Sequence, residues 1–314
     1  MHKSRRLSIE TKSIGNIAIE VLAEDQAASV MSSISRGIYI KSSSRWLVFI
    51  SHEGFRSPLT ITLKEAIPIR NPIQAGSAVN FTSGQLLIPE VGITITTDAS
   101  NVWKPAPRQK FSEDNAERKK RLNYFTEKIM LRKPGAGFSP LLPGLLKLPD
   151  EKQAISDALA PKYENIILLQ RAIQAGKLPT IGKILCDFLG FGEGLTPSGD
   201  DFVIGTLLSL NRWKDVLSPN EDLGSLNHLV VDTAYQATTT LSANLIECAA
   251  LGEGDERLIK AIDFLMSGGL QKDEIATDLL NWGSSSGVDA FVGMATAATG
   301  MDADQTVESK TVSV

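Results

Sequence analysis

Residues 190–210 read GFGEGLTPSGDDFVIGTLLSL, a glycine-rich segment followed by a long apolar run. Thr196 and Pro197 are typical of a helix start, because threonine can cap the first turn and proline lacks an N–H that would be unpaired there. Because residues 202–210 are apolar on nearly every side, we predict a buried helix with Thr196 as its N-cap.

The start of this predicted helix is polar although its body is not. Its residues supply hydroxyls, carboxylates and glycines: Gly194, Thr196, Ser198, Gly199, Asp200 and Asp201. Free backbone N–H groups and the positive end of the helix dipole favour a negative ligand, which predicts an anion-binding pocket at this end. The alternative is that the acidic residues only stabilise the helix start.

The same pattern returns 88 residues later. The segments Ser198–Gly205 and Ser286–Gly293 share the arrangement S-G-x-D-x-x-x-G, and each opens an apolar helix. A glycine inside a helix costs about 1 kcal/mol relative to alanine, so its presence at matched positions predicts a close crossing of the two helices. If they cross, Ser286, Gly287 and Asp289 join the first motif at one site. Chance similarity is the alternative.

Three further places could contribute donors to this pocket. They are a hydroxyl-rich helix start with Thr239, Thr240 and Ser242, the Ser285 hydroxyl before the second motif, and Arg36 at the entry to a predicted strand. Each also has an ordinary structural interpretation. The hydroxyls would cap a helix, the serine-rich run 283–287 would be a flexible loop, and the arginine would be exposed to solvent.

Two kinds of chemistry fit the three aspartates. Asp200, Asp201 and Asp289 are candidate catalytic residues, of which one could accept a proton as a general base. All three could instead bind Mg²⁺ through their oxygens, with Asp200 and Asp201 as the first candidate pair, which makes this ion the one cofactor that the sequence suggests. No Walker lysine follows the glycines, no GxGxxG pattern is present, and the three scattered histidines favour neither a zinc site nor a Ser-His-Asp triad.

The composition is that of an ordinary globular protein, with 314 residues, a formal net charge of −4 and 42% hydrophobic residues. The mild acidity argues against a general nucleic-acid binder, and the basic clusters at Lys3–Arg6 and Glu117–Arg121 are short enough to be solvated surface. No apolar run reaches the roughly 18 residues of a membrane helix, and the start has no hydrophobic signal core. We therefore expect a cytoplasmic protein in which Cys186 and Cys248 are free thiols.

The order of the predicted elements favours an α+β fold, a mainly antiparallel β-sheet or barrel followed by a helical domain. Runs of β-branched residues predict strands at 38–40, 46–50, 59–63 and 91–95. Helices are predicted at 112–131, with Ser112 as N-cap, and at about 150–175, 179–189, 197–212, 225–237, 241–251, 255–267, 271–281 and 286–299. Four parts follow: a β-rich domain at 1–110, a helix and Pro/Gly linker at 111–148, the helical domain with the site at 149–300, and a flexible tail at 301–314.

The block GEGLTPSGDD at 192–201 resembles the signature of the AllH-type oxamate carbamoyltransferase subunit family. Weaker likeness extends over about residues 20–300, in the segments 32–40, 46–50, 57–61, 103–105, 239–242 and 285–289. Two departures are visible: Glu193 stands where many members have a small residue or proline, and Val288 replaces a small residue in the second motif. Neither touches the Ser, Gly or Asp positions.

The resemblance implies a subunit of a carbamoyltransferase assembly in purine and allantoin catabolism, acting with two other polypeptides. The reaction would link oxalurate and phosphate with oxamate and carbamoyl phosphate, small anions that agree with the predicted pocket. One alternative is a non-catalytic assembly or metabolite-sensing subunit. Another is an enzyme of unrelated reaction that shares the fold. No nucleic-acid or membrane partner is expected.

Overall fold

Nine strands form one sheet in the computed structural model, which describes residues 7–24, 28–67, 73–82, 84–97, 101–108, 110–111, 114–148, 155–218 and 222–300. The basic cluster Lys3–Arg6 and the predicted tail 301–314 lie outside these residues. The strands are β1 (Leu7–Gly15), β2 (Ala28–Ile34), β3 (Gly37–Lys41), β4 (Leu47–Ser51), β5 (Thr60–Leu63), β6 (Ala78–Thr82), β7 (Gln85–Ile88), β8 (Ile93–Thr96) and β9 (Val102–Trp103). Their order in the sheet is β5-β4-β3-β2-β6-β7-β8-β1-β9.

Strand β1 closes the first eight strands into a barrel, because it pairs on both of its edges. Residues 7–10 pair with β8 in parallel, and residues 11–14 pair with β5 in antiparallel orientation across a bulge. The short β9 runs beside the end of β1. The pairings β1–β8, β1–β9 and β4–β5 are parallel and the others are antiparallel, so the predicted mainly antiparallel barrel is confirmed.

Alternate residues of the strands fill the barrel with branched aliphatic side chains. Ile38, Ile40, Ile50 and Ile61 are fully buried, as expected where every second side chain of a strand points to the same face. The helix α1 (Asn16–Glu24) follows β1 directly and packs against the same core. The sequence predicts β3, β4, β5 and β8 but misses α1 and the other strands.

The rest of the described chain is helical, which confirms the α+β class. The helices are α2 (Asn115–Arg132), α3 (Leu142–Leu145), α4 (Ala160–Gln174), α5 (Leu178–Cys186), α6 (Ser198–Arg212), α7 (Lys214–Leu217), α8 (Gly224–Ala237), α9 (Thr240–Ala250), α10 (Glu256–Ser267), α11 (Lys272–Leu280) and α12 (Ser286–Thr299). Within the described ranges, no helix combines the length and the apolar character needed to cross a membrane. The predicted limits of the four parts stay predictions.

Two predicted helix starts are wrong. The N-cap of α2 is Asp114, whose carboxylate accepts two first-turn N–H groups, rather than Ser112, which lies outside the described residues. Helix α4 begins at Ala160 and not near residue 150. The reason is Pro161, which has no N–H and is tolerated in a first turn but would break a helix that continued through it.

Helices α6 and α12 cross in direct backbone contact, so the close crossing predicted from the repeated glycines is confirmed. A Cβ at Gly205 would lie 1.9 Å from the carbonyl oxygen of Ala290, and a Cβ at Gly293 would lie 2.2 Å from that of Phe202. Each glycine, the eighth residue of its motif, therefore meets the fifth residue of the other motif. Only glycine lets two backbones approach this closely.

Polar contacts fix the barrel against α9 and α10. Asn244, fully buried in α9, accepts the Leu47 N–H of β4 at 2.8 Å. Arg56 makes two hydrogen bonds to the Glu256 carboxylate at the start of α10, at 2.9 and 2.7 Å. Cys248 of α9 packs into the barrel core. These contacts hold the barrel and the helices on either side of a cleft.

Replacing Gly205 by alanine should destabilise the fold. The new methyl group would collide with the Ala290 carbonyl, and such overpacking costs about 1–3 kcal/mol or more. That loss outweighs the gain of about 1 kcal/mol from alanine in a helix. Urea unfolding of Gly205→Ala should be compared with Gly54→Ala, where a Cβ meets no atom within 4 Å. Equal stability of the two variants would contradict a tight crossing.

Candidate functional site

The two repeated motifs meet where α6 and α12 begin. The hydroxyls of Thr196 and Ser286 lie 3.2 Å apart. The prediction of Thr196 as the N-cap of α6 is wrong by one residue, because the N-cap is Pro197 in an extended conformation (φ −55°, ψ 149°). The Thr196 side chain is therefore not used for capping and faces the second motif.

Glycines let the loop before α6 fold back on the helix. Gly192 has φ +115°, and a Cβ there would lie 2.8 Å from the Ser198 nitrogen. Gly194, a predicted binding residue, has φ +95° and open space around it. The loop thus places Thr196 and the exposed Leu195 beside the second motif.

Two of the helix N–H groups expected to bind an anion, those of the motif glycines, already have partners. The N–H of Gly199 donates to the Phe191 carbonyl, and that of Gly287 donates to the Trp282 carbonyl, both at 2.8 Å. A Cβ at Gly199 would lie 1.9 Å from the Phe188 carbonyl oxygen, which explains the need for glycine. An anion would have to replace these bonds to reach the two N–H groups, so the nearby hydroxyls are the more accessible donors.

Asp200 is fully buried and fully engaged with the chain around it. Its Oδ1 accepts the Gly190 N–H at 2.7 Å, and its Oδ2 accepts the Thr238 hydroxyl. The carboxylate therefore ties the glycine-rich loop to the end of α8. This arrangement makes Asp200 a residue that positions the loop, and its catalytic and metal-binding roles stay predictions.

Asp201 is also fully buried, but its carboxylate has no hydrogen-bond partner of normal geometry among the described residues. Burial raises the pKa of this carboxyl well above its ordinary value, and the negative charges of Asp289 and Asp200 raise it further. The hydroxyls of Ser286 and Thr196 lie close enough to the carboxylate to lower the pKa, without completing hydrogen bonds to it.

Asp289, the matching residue of the second motif, has one engaged oxygen. Its Oδ1 accepts the Phe138 N–H at 2.6 Å, while its Oδ2 has no partner within the described part of the chain. Burial raises the pKa of Asp289 to about 6, although the Phe138 N–H and the hydroxyls of Ser198 and Ser285 act to lower it. Each motif thus places its serine beside the aspartate of the other.

A loop that the sequence predicts only as a linker supplies part of this site. Besides the Phe138 N–H, it brings the Lys133 ammonium to the Ser284 carbonyl. Burial lowers the pKa of Lys133, and the charge of Asp289 raises it. Gly137 lies so close that a Cβ would be 2.0 Å from an Asp289 oxygen. The glycines and prolines of KPGAGFSP fit any loop, so they gave no signal of this contact.

The third predicted group of hydroxyls holds the glycine-rich loop in place. Thr239 is the N-cap of α9, accepts the Ser242 N–H at 3.1 Å and donates to the Leu195 carbonyl at 2.6 Å. The Ser242 hydroxyl points to the same carbonyl at 3.4 Å. Thr240 is exposed at the start of α9. As ligand-binding residues all three stay predictions.

A cleft of about 540 Å³ lies between the barrel and these helix starts. Thr196 and Ser286 line it on the helical side. Tyr39 and Phe49 line it on the barrel side and stack with their ring centres 4.4 Å apart. Asp201 is buried behind these two hydroxyls, and neither Asp201 nor Asp289 belongs to the lining of the cleft.

Two arginines line the cleft, each beside a carboxylate that also lines it, Glu53 for Arg36 and Asp255 for Arg257. Arg36, a predicted binding residue in the turn between β2 and β3, lines the cleft and lies 3.6 Å from the Glu53 carboxylate. Arg257, which the sequence analysis missed, also lines it. The Arg257 guanidinium donates twice to Asp255, at 2.8 and 2.7 Å, and stacks over the Phe55 ring. An arginine near a helix start is common, so no sequence signal marked it.

The described residues include no group of three or more His, Cys, Asp and Glu side chains arranged to hold a metal ion. Asp200 turns away to Gly190 and Thr238, so the oxygens nearest to Asp201 come from the second motif and from hydroxyls. The predicted Asp200–Asp201 metal pair stays a prediction.

Comparison with known proteins finds one family. No curated protein and no solved structure matches the chain. The matching family model covers residues 188–298, about a third of the chain, and therefore a smaller part than the resemblance seen in the sequence. The matched segment contains both repeated motifs, the hydroxyls of α9 and Arg257. Residues 188–298 match the family described as oxamate carbamoyltransferase subunit AllH.

Proposed function

We propose that this chain is a subunit of a carbamoyltransferase-type assembly and binds small anionic substrates in the cleft between its barrel and its helical part. The family match over residues 188–298 supports the transferase assembly and the presence of other subunits. The matched residues include the helical wall of the cleft, so the sequence likeness and the candidate site coincide.

The observation that carries the proposal is the meeting of the two motifs at the cleft. Thr196 and Ser286 present hydroxyls 3.2 Å apart, and Arg36 and Arg257 add guanidinium groups to the lining. Hydroxyl and guanidinium donors suit carboxylate and phosphate oxygens, the groups carried by oxamate, oxalurate and carbamoyl phosphate.

The transfer needs two anions held side by side. The carbamoyl carbon exchanges its bond to a phosphate oxygen for a bond to the amide nitrogen of oxamate, the nitrogen gives up a proton, and phosphate leaves. In this proposal the arginines and hydroxyls bind the anionic ends. Asp201, from behind, positions Thr196 and Ser286, and Asp289 adds to the local charge.

Removing the two hydroxyls should weaken anion binding. In calorimetric titrations of the isolated chain with phosphate and with oxamate, the double variant Thr196→Val, Ser286→Ala should bind at least about 10-fold more weakly, since a lost hydrogen bond to a charged group costs about 1.5–3 kcal/mol. Thr180→Val is the matched control, because it removes an exposed hydroxyl of α5 outside the cleft lining. Absence of binding by the unaltered chain would contradict the proposal.

The buried aspartates separate a catalytic subunit from an assembly or sensing subunit. In the assembly purified with its other subunits, Asp201→Asn and Asp289→Asn should each lower kcat for oxalurate and phosphate by about 100-fold or more. Glu193→Gln, an exposed change in the same loop, should leave kcat unaltered. Unchanged turnover by both asparagine variants in an intact assembly would favour the non-catalytic alternative.

A further inference from the structure

Three carboxylate oxygens between α6 and α12 have no hydrogen-bond partner among the described residues. They are both oxygens of Asp201 and the Oδ2 of Asp289, and both residues are fully buried. Buried polar groups are almost always paired, and an unpaired buried carboxylate costs several kcal/mol. The hydroxyls of Ser286 and Thr196 lie near Asp201, and those of Ser198 and Ser285 near Asp289, but none completes a hydrogen bond of normal geometry to these oxygens, so a further partner is called for.

Asp200 shows that the chain satisfies a buried carboxylate here when the carboxylate is structural. It is the neighbour of Asp201 and equally buried, yet both of its oxygens accept hydrogen bonds from protein donors. In the part of the chain that the structure describes, the buried carboxylate oxygens without a partner belong to the aspartates at the matched position of the two motifs. Their location, on both sides of the α6–α12 crossing, is thus a shared property of the motifs.

The charge around Asp201 is negative. The charges that act most strongly on it are those of Asp289 and Asp200. The nearby Lys133 ammonium acts on Asp289 but donates its hydrogen bonds to the carbonyls of Ser284 and Gly283. A cation of charge +2 would neutralise the two carboxylates, whose neighbouring charges are otherwise mainly negative.

We propose that Asp201 and Asp289 hold one divalent cation of the Mg²⁺ type between the starts of α6 and α12, with neighbouring serine and threonine hydroxyls available as further oxygen ligands. Mg²⁺ is typically bound by one or two carboxylates and leaves other positions to water or to substrate phosphate. The pair differs from the Asp200–Asp201 pair suggested by sequence spacing, because Asp200 has no free carboxylate oxygen.

The cation would connect the two motifs to the cleft. The hydroxyls of Ser286 and Thr196 lie beside Asp201 and line the cleft, so an ion at the aspartates would act on the same hydroxyls that face a substrate. The inference does not depend on which anion the cleft binds, because the side chains that would bind the cation belong to this chain. It can therefore be tested with the metal alone.

The test is a titration of the chelator-treated chain with Mn²⁺ in the absence of substrate. Binding is measured by electron paramagnetic resonance of the free ion and by calorimetry. We expect one saturable site per chain, from which Mg²⁺ displaces Mn²⁺. Asp201→Asn and Asp289→Asn should each weaken Mn²⁺ binding at least 10-fold. Glu193→Gln removes an exposed carboxylate of the same loop and should leave it unchanged.

Several results would overturn the inference. They are the absence of saturable binding to the unaltered chain, unchanged affinity in Asp201→Asn, or loss of binding in Glu193→Gln. A folded Asp201→Asn chain that is more stable than the unaltered one, with no response to metal in either, would show instead that the aspartates share a proton. If the asparagine variants do not fold, the titration of the unaltered chain and of Ser198→Ala, which removes a hydroxyl beside Asp289, still decides.

Discussion

The backbone contact between α6 and α12 determines where the candidate site lies. Gly205 and Gly293 allow the two helices to touch, and the serine and aspartate of each motif precede the glycine by fixed helical spacings. A helix is rigid over two turns, so the crossing fixes the position of both helix starts. The hydroxyls of Thr196 and Ser286 are neighbours because the helices cross at glycine.

The two motifs are equivalent in sequence but not in environment. Asp201 and Asp289 occupy the same motif position, yet the Phe138 N–H reaches only Asp289. The loop around Gly137 therefore breaks the symmetry of the pair. Burial raises the pKa of both carboxyls, and the Phe138 N–H acts to lower it only at Asp289.

The helices could be predicted from the sequence because their signals are local. Apolar runs and Pro or Gly boundaries gave most of the helices between α4 and α12 within a few residues, and the failure at α4 came from underrating Pro161. Strand β1 was missed although LSIETKSIG alternates polar and apolar residues, because strands were predicted only from continuous β-branched runs. Its stability comes from pairing with β5 and β8, which follow it by about fifty and eighty residues, and no local pattern records such pairing.

The same distinction between local and distant signals holds for the site. The repeated Ser-Gly-x-Asp pattern is visible in the sequence and predicted that the motifs meet. The contact of Phe138 with Asp289 joins residues 151 positions apart, and Arg257 enters the cleft through the position of α10 against the barrel. Such contacts are set by tertiary packing, so composition and spacing could not reveal them.

The barrel gives the helical site its second wall. Without it, Thr196 and Ser286 would lie on an open surface where water competes for every donor and charges are screened. Arg56 and Asn244 hold the barrel against α9 and α10, and the enclosed volume of about 540 Å³ exceeds the size of one small anion. Under the proposed function this room is required, because a group transfer needs both substrates in place at once, in reacting distance and shielded from water. Under this proposal, the barrel and the helical part would each supply one wall of a two-substrate cleft.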